Sequence, residues 1–391
     1  MKITELPEEI LLKIFEHLDF QDIFQNVALV NKIFHKISQD SSLLKSLALE
    51  DIDKYVFEDF AKVLKKASKL EKLQLTDCFD FTEKIVILAF KSSPMLTTLN
   101  ITDEIIITEN LAKAIFDFGQ NLQNLSLEEA EISGQALLHL TKLQNLKSLK
   151  IRSSAVRSEH IINLTKNCPK LKSLQIWSLN KISNEAMEEF CQTKGKFLKK
   201  IRFRIDVYPE IQWTMESFRC LEALENFELN ASGLQDLPQN VRENLKFGSN
   251  LKTLSLLCLK GNALDGTNFK IPGDELQEIS LKFCEITLSE LVKRMDFCPK
   301  MTKFSAIGYS NVKNYSFSQR DIKALLEKCP NLKSIDFGGC DIQSLTDEFL
   351  CELVINQNIK ISLDKSKKKS LKRYLMMKYV IGNPAKRLKS E

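Results

Sequence analysis

The chain has 391 residues, 43% hydrophobic and 27% charged, with a net charge of +5. Those proportions belong to an ordinary folded protein and exclude a disordered or fibrous one. Its apolar stretches fall short of the ~18 residues that a membrane span needs, and the opening MKITELPEEILLKIF carries acids where a secretory leader is basic, so an intracellular chain without a membrane span is expected.

In chain order, Leu6, Pro7 and Glu8 open a helix, with Pro supplying the preset backbone angle of a first turn. Behind it Ile10, Leu11, Leu12, Ile14, Phe15 and Leu18 sweep roughly 200° at ~100° per residue, wider than the stripe with which a surface helix faces one core. Two further helical patterns, around Phe20 to Ala28 and Asn31 to Ser38, complete a three-helix unit of about 45 residues that builds only a marginal core unaided. Periodicity leaves two uses for the surplus face: docking on the following segment, or binding another polypeptide.

Leu6-Pro7-Glu8-Glu9-Ile10-Leu11, Ile14-Phe15, Leu18-Asp19, Asp22, Val30 and Asp40-Ser41-Ser42-Leu43 together resemble the F-box, over about residues 3 to 48. Asn31, Phe34 and Leu44 stand where that family often has Cys, Trp and a closing Trp. The resemblance implies docking on the Skp adaptor of cullin-RING ubiquitin ligases through Leu6, Pro7, Ile10, Ile14, Leu18, Val30 and Phe34.

Between Leu70 and Phe337 a Leu-x-x-Leu-x-Leu pattern, with Ile, Phe, Met or Ala admitted, occurs eleven times and restarts every 24 to 27 residues in nine of ten intervals. That is a solenoid signature. A strand and a helix alone cannot bury such Leu sets, so stacked blocks must share one apolar interior. The fold class is therefore α/β, a horseshoe with strands and helices on opposite sides. Ile182, Ala186, Met187, Phe190 and Cys191 recur at helical spacing, while Thr287-x-x-Glu290 and Ser318-x-x-Asp321 read as capping boxes.

Ten cysteines occur without a Cys-x-x-Cys pair, and the four histidines are scattered, so neither a disulfide framework nor a metal site is expected. Cys168, Cys298 and Cys329 sit three residues before a block's first apolar slot, and Cys78, Cys284 and Cys340 three after its last strand residue, as buried space-filling thiols do. This spacing resembles the cysteine-containing leucine-rich repeats. An F-box followed at once by such repeats is similar to the F-box/leucine-rich substrate receptors of SCF-type ligases, which implies a non-catalytic subunit tethering a protein target to the cullin-RING core. The alternative is a repeat scaffold or inhibitor that directs no ubiquitination. Gly-rich phosphate loops, Gly-x-Ser-x-Gly elbows and His-Glu-x-x-His helices are all missing, so no catalytic residues and no cofactor are expected.

Alternation in each strand sends slots three, five and seven outward. Three successive blocks then offer Ser148, Lys150 and Arg152, Ser173, Gln175 and Trp177, and Lys200, Arg202 and Arg204. Strands lie about 4.8 Å apart, which gives a peptide-sized patch. Lys150, Arg152, Trp177, Lys200, Arg202 and Arg204 are candidate substrate-binding residues for an acidic or phosphorylated segment, with solvated strand residues as the plainer reading. Later blocks place Glu228, Leu257, Ile307 and Asp336 in equivalent slots, and irregular insertions fall at Lys260 to Glu275 and Gly308 to Gln319.

Residues 364–391 hold ten Lys or Arg against Asp364 and Glu391, a balance of +8 that leaves −3 for the first 363. That tail is either a cap on the last block, with Leu371, Tyr374, Leu375 and Met376 packing, or a nuclear-import or acidic-surface patch. The near-neutral body makes nucleic acid an unexpected partner. The expected domains are 1–48, 49–362 and 363–391, in a protein of the cytoplasm, the nucleus or both.

Overall fold

The structure, a computed structural model, describes residues 3–376 apart from 19, 51–53, 103, 129, 178, 180, 205–214, 232–246, 259–269, 285–286, 309–316, 341 and 364. Most of both irregular insertions, and the basic tail after Met376, lie outside the described residues. The chain divides into two units, 1–181 and 182–391.

In the first unit, three short helices, α1 (Glu8–Phe15), α2 (Phe20–Gln25) and α3 (Lys32–Ser38), precede the strands of the main sheet. The strands are Ser46–Glu50, Lys72–Thr76, Thr98–Ile101, Asn124–Leu127, Ser148–Arg152 and Ser173–Trp177, paired in parallel with helices in the connections. The first of those helices is α4 (Lys54–Leu64). The register puts Leu47, Leu73, Leu99, Leu125, Leu149 and Leu174 on one buried rung. The second unit pairs Lys200–Arg204, Asn226–Asn230, Thr253–Leu257, Glu278–Lys282, Lys303–Ile307, Ser334–Asp336 and Lys360–Ser362 in the same way. Its rung is Ile201, Phe227, Leu254, Ile279, Phe304 and Ile335, all buried. Each block's apolar slots are closed by the next block, which is the leucine-rich-repeat solenoid of the α/β class. The ladder starts one strand before Leu70: Leu44-x-x-Leu47-x-Leu49 repeats the pattern, and all three side chains are buried.

Two features hold consecutive blocks together beyond the leucines. In nine of the eleven blocks the slot three before the first apolar residue holds a small side chain, Ala67, Ser93, Gly119, Cys168, Gly195, Gly248, Gly273, Cys298 or Cys329, while Leu143 and Leu221 fill it in the other two; at Gly195 and Gly273 the backbone of the neighbouring block comes close. Ser93 donates to the carbonyls of Ser68 and Leu70 at 3.2 and 2.7 Å, and Cys168 donates to those of Thr141 and Leu143 at 3.4 Å. At four block junctions the residue just before the first apolar slot is Asn. Asn121, Asn145, Asn250 and Asn331 each donate from Nδ2 to a backbone carbonyl of the preceding block, at 2.7–2.9 Å.

None of the ten cysteines is in a disulfide. Cys78, Cys284 and Cys340 each follow a residue with positive φ, Asp77, Phe283 and Gly339, which turns the chain off the strand and aims the thiol inward. Cys284 and Cys340 then donate to the carbonyls of Leu256 and Ala306 at 3.1 and 3.0 Å. Burial pushes the Cys340 thiol up to about 12.

Both expected sequences start helices, Thr287 as an N-cap and Ser318 as a full capping box. Thr287 Oγ1 accepts from the Glu290 N–H at 3.3 Å, and Ser318 exchanges bonds with the Asp321 N–H and carboxylate. Removing the second by Ser318→Ala should lower stability by about 1 kcal/mol, read as an earlier urea midpoint with an unchanged slope.

Candidate functional site: the apolar face of the N-terminal helices

Pro7 occupies the N-cap of α1, where its carbonyl accepts from the N–H groups of Ile10 and Leu11. Leu11 and Phe15 then point inward at i and i+4, meeting Ile23, Phe34, Ile37 and Leu43 in a small core. The Phe15 and Phe34 rings meet edge to face, with centroids 5.2 Å apart. Asn31 caps α3, its side chain accepting from the Phe34 N–H at 2.9 Å, which is a role that Cys at this position cannot fill as well. The closing turn is pinned by Asp40, whose carboxylate accepts from the Ser42 N–H at 2.8 Å and is held below the usual carboxylate range by that bond.

The six core residues leave an apolar surface outside. Ile10 and Ile14 on α1, and Leu18 just past its end, follow one another at four-residue spacing. Ile10 and Leu18 are each 42% exposed, while Ile14 and Leu6 are half-buried against the core and Pro7 is exposed. Val30 is 63% exposed, and beside it stand Leu29 at 77% and Ile33 at 43%. Phe34 lies inside the core, 6% exposed. Helices α1 and α3 pack side by side, tied by the Lys36–Glu8 ion pair at 2.9 Å, so the two apolar stripes are carried by adjacent elements. Leu29 and Ile33 were not singled out by sequence reasoning, although their i, i+4 spacing across the turn into α3 is a signal that finds them.

The three-helix unit does rest on the first repeat, but by another side. Phe24 meets Phe60 of α4 edge to face at 6.4 Å, and Lys66 Nζ donates to Gln39 Oε1 at 2.7 Å. Between them lies a cleft of about 530 Å³ lined by Phe24, Ala28, Leu29, Leu44 and Val63 among others. Docking on the repeat therefore leaves Ile10, Leu18, Val30 and Ile33 outward, which separates the two uses that periodicity left open.

The candidate substrate-binding residues fall in both units. In the first, the Arg152 guanidinium sits over the Trp177 ring, 5.0 Å from its centroid. Lys150 Nζ lies 3.8 Å from Glu128 Oε1, and the same carboxylate oxygen accepts from Gln175 Nε2. In the second, Lys200 is exposed, Arg204 half-buried, and Arg202 pairs with Glu228 at 2.8 Å. Glu128, just past the end of a neighbouring strand, and Glu228 on another thus lie against Lys150 and Arg202. Also in the second unit, Glu225 bridges Lys199 and Lys252 at 2.7 and 2.9 Å, and those bonds hold its carboxyl below the usual range.

His160, 1% exposed, is structural. Its Nδ1 accepts from the Arg157 N–H at 3.0 Å, so Nε2 carries the proton and donates to the Gly134 carbonyl at 3.0 Å. Among the described residues no group of three His, Cys, Asp or Glu is placed to hold a metal ion, and no helix is long and apolar enough to cross a membrane.

Comparison with known proteins matches residues 3–50 to the F-box-like family model. No curated protein matches the sequence. Similar solved structures include the Rad7 and Elc1 complex in yeast, at 14% identity and a TM-score of 0.45 over 94% of this chain and 90% of that one. The Toll–Spatzle complex of Drosophila has 16% identity and a TM-score of 0.40, over 83% of this chain and 38% of that one. An internalin (inlF) of Listeria monocytogenes has 14% identity and a TM-score of 0.37, over 88% and 96%. These scores carry no argument about individual residues, and the repeat fold rests on the strand pairing itself. The protein joins an F-box-like domain, residues 3–50, to a ladder of leucine-rich repeats.

Proposed function

We propose that this protein is the substrate-recognition subunit of an SCF-type ubiquitin ligase. Its F-box-like domain docks on a Skp adaptor, and its repeats hold a protein target for ubiquitination and proteasomal degradation. The observation that carries the reading is the outward apolar face of α1 and α3, on a domain that uses a different side to rest on its own repeats. Ile10, Leu18, Val30 and Ile33 stand outward as exposed apolar side chains, of the kind that a partner covers. Catalysis then belongs to other subunits: held near the charged enzyme, a target lysine is presented at high effective concentration. Co-purification of the tagged chain with a cullin tests this assignment. Recovery of Skp without any cullin would favour the scaffold reading instead.

For the target we propose an acidic or phosphorylated segment gripped on the strand faces. Arg152, stacked on Trp177, and Lys200 with Arg204 are the contacts put to the test. Reversing charge at Arg152 and at Arg204, one unit at a time, should weaken binding of an acidic client peptide about tenfold for the unit in use. Equal affinity in both variants would discard this target class.

A further inference from the structure

The last described helix, Lys365–Leu375, carries charge that the proposed ligase role does not use. It packs beside the helix Asp347–Ile355. Leu371 is buried, Tyr374 and Leu375 are half-buried, and Asp347 receives Lys367 at 3.3 Å and the Ser370 hydroxyl at 2.6 Å. The apolar flank is thus largely covered by the protein's own last repeat, except Met376, which does not pack as the sequence suggested and is 51% exposed.

The remaining face is cationic. Lys365, Lys368, Lys369, Lys372 and Arg373 are all exposed. At ~100° per residue they fall within an arc of about 140°, and at ~1.5 Å per residue they span about 12 Å of helix axis. No acid occurs between Lys365 and Met376. The near-neutral remainder of the chain argues against an extended nucleic-acid face, but it leaves this one helix as a concentrated cationic edge.

We propose that this face binds the phosphate backbone of a nucleic-acid duplex, independently of sequence. Two observations favour a duplex over an anionic bilayer. Most of the apolar flank already packs on the last repeat, with Met376 at the end still exposed, so the helix has little apolar face to lower into a membrane, which is what holds interfacial basic helices there. In addition, each strand carries one phosphate per about 3.4 Å of duplex axis, so about 12 Å of axis presents three or four phosphates per strand to a row of five cations. Contacts of this kind fix position without reading bases.

The test uses the full chain and a fluorescein-labelled 20-base-pair DNA duplex of mixed sequence, with anisotropy read from 50 to 300 mM NaCl. Expected are saturable binding at 50 mM and a log–log salt slope of about −3 to −4, from three or four neutralised phosphates. The triple variant Lys368→Glu, Lys369→Glu, Lys372→Glu should bind at least tenfold more weakly with a shallower slope, and its thermal midpoint should match that of the parent because all three side chains are exposed. Parallel sedimentation with phosphatidylcholine vesicles containing phosphatidylserine should retain less protein than the duplex binds. The proposal is overturned if the duplex is not bound at 50 mM, if the triple variant binds as tightly as the parent, or if the vesicles are preferred. Adaptor binding by the same variant should be unchanged, so this result and that of the ligase assignment are read separately.

Discussion

Replacing Ile10 and Val30 together by Asp should raise the dissociation constant for a Skp adaptor by more than a hundredfold while leaving the fold intact. Both side chains are largely outside the domain's own core, at 42% and 63% exposure, so introducing charge there removes little internal packing. At the adaptor interface each forfeits about 1.5–3 kcal/mol of apolar burial. Each new carboxylate also loses water without gaining a partner. Two such losses exceed the ~2.7 kcal/mol that corresponds to a hundredfold change. Titration calorimetry measures the binding, and an unchanged thermal midpoint shows that folding is not the cause. Phe34→Ala makes the contrast: it deletes a ring held edge to face on Phe15, so stability and binding should fall together.

The second large effect is expected inside the repeats. Gly195 ends the helix Asn184–Lys194, and its carbonyl accepts from the Ala223 N–H at 2.9 Å. A Cβ added there meets the Cys220 carbonyl oxygen at 1.8 Å and that of Cys191 at 2.8 Å. Both obstacles are backbone, so Gly195→Ala can be accommodated only by parting two blocks, at a cost of about 3 kcal/mol. Urea unfolding followed by circular dichroism reads this as a large drop in midpoint. Gly134→Ala is the control: its nearest neighbour, His160 Cε1, lies 3.8 Å away, and Ala in a helix should raise stability by about 0.4–1 kcal/mol.

Much of the ladder is legible in the chain because its determinants are local. Leu-x-x-Leu-x-Leu sets the inward face by period two, and Ser or Thr three residues before an acid marks a helix start. The strand at Ser46–Glu50 carries the same signal in Leu44, Leu47 and Leu49, but it overlaps residues that also close the F-box resemblance, so spacing alone assigns them to either. The small residues at Ser93, Gly119, Cys168 and Gly195 share no chemistry, only size, and their meaning appears once the neighbouring block passes beside them. The Asn121, Asn145, Asn250 and Asn331 bonds cross between blocks, which places them beyond any single-block pattern.

The candidate adaptor site was legible in kind but not in detail. An apolar arc of 200° states that α1 has more greasy surface than one core needs, and it cannot state which edge turns inward. The core takes Leu11 and Phe15 and leaves Ile10 and Leu18, because only the first pair meets Ile23 and Phe34. On the strand faces, alternation places Lys150 and Arg202 outward without revealing that Glu128 and Glu228 lie across from them.

The most direct measurement is to mix the full chain with recombinant Skp adaptor and follow mass by light scattering during size exclusion. The account predicts one peak at the summed mass of a 1:1 complex, with the hydrogen exchange of α1 and α3 slowed on binding. Separate elution of the two proteins at micromolar concentration, with Ile10, Leu18 and Val30 still open to solvent, would contradict it.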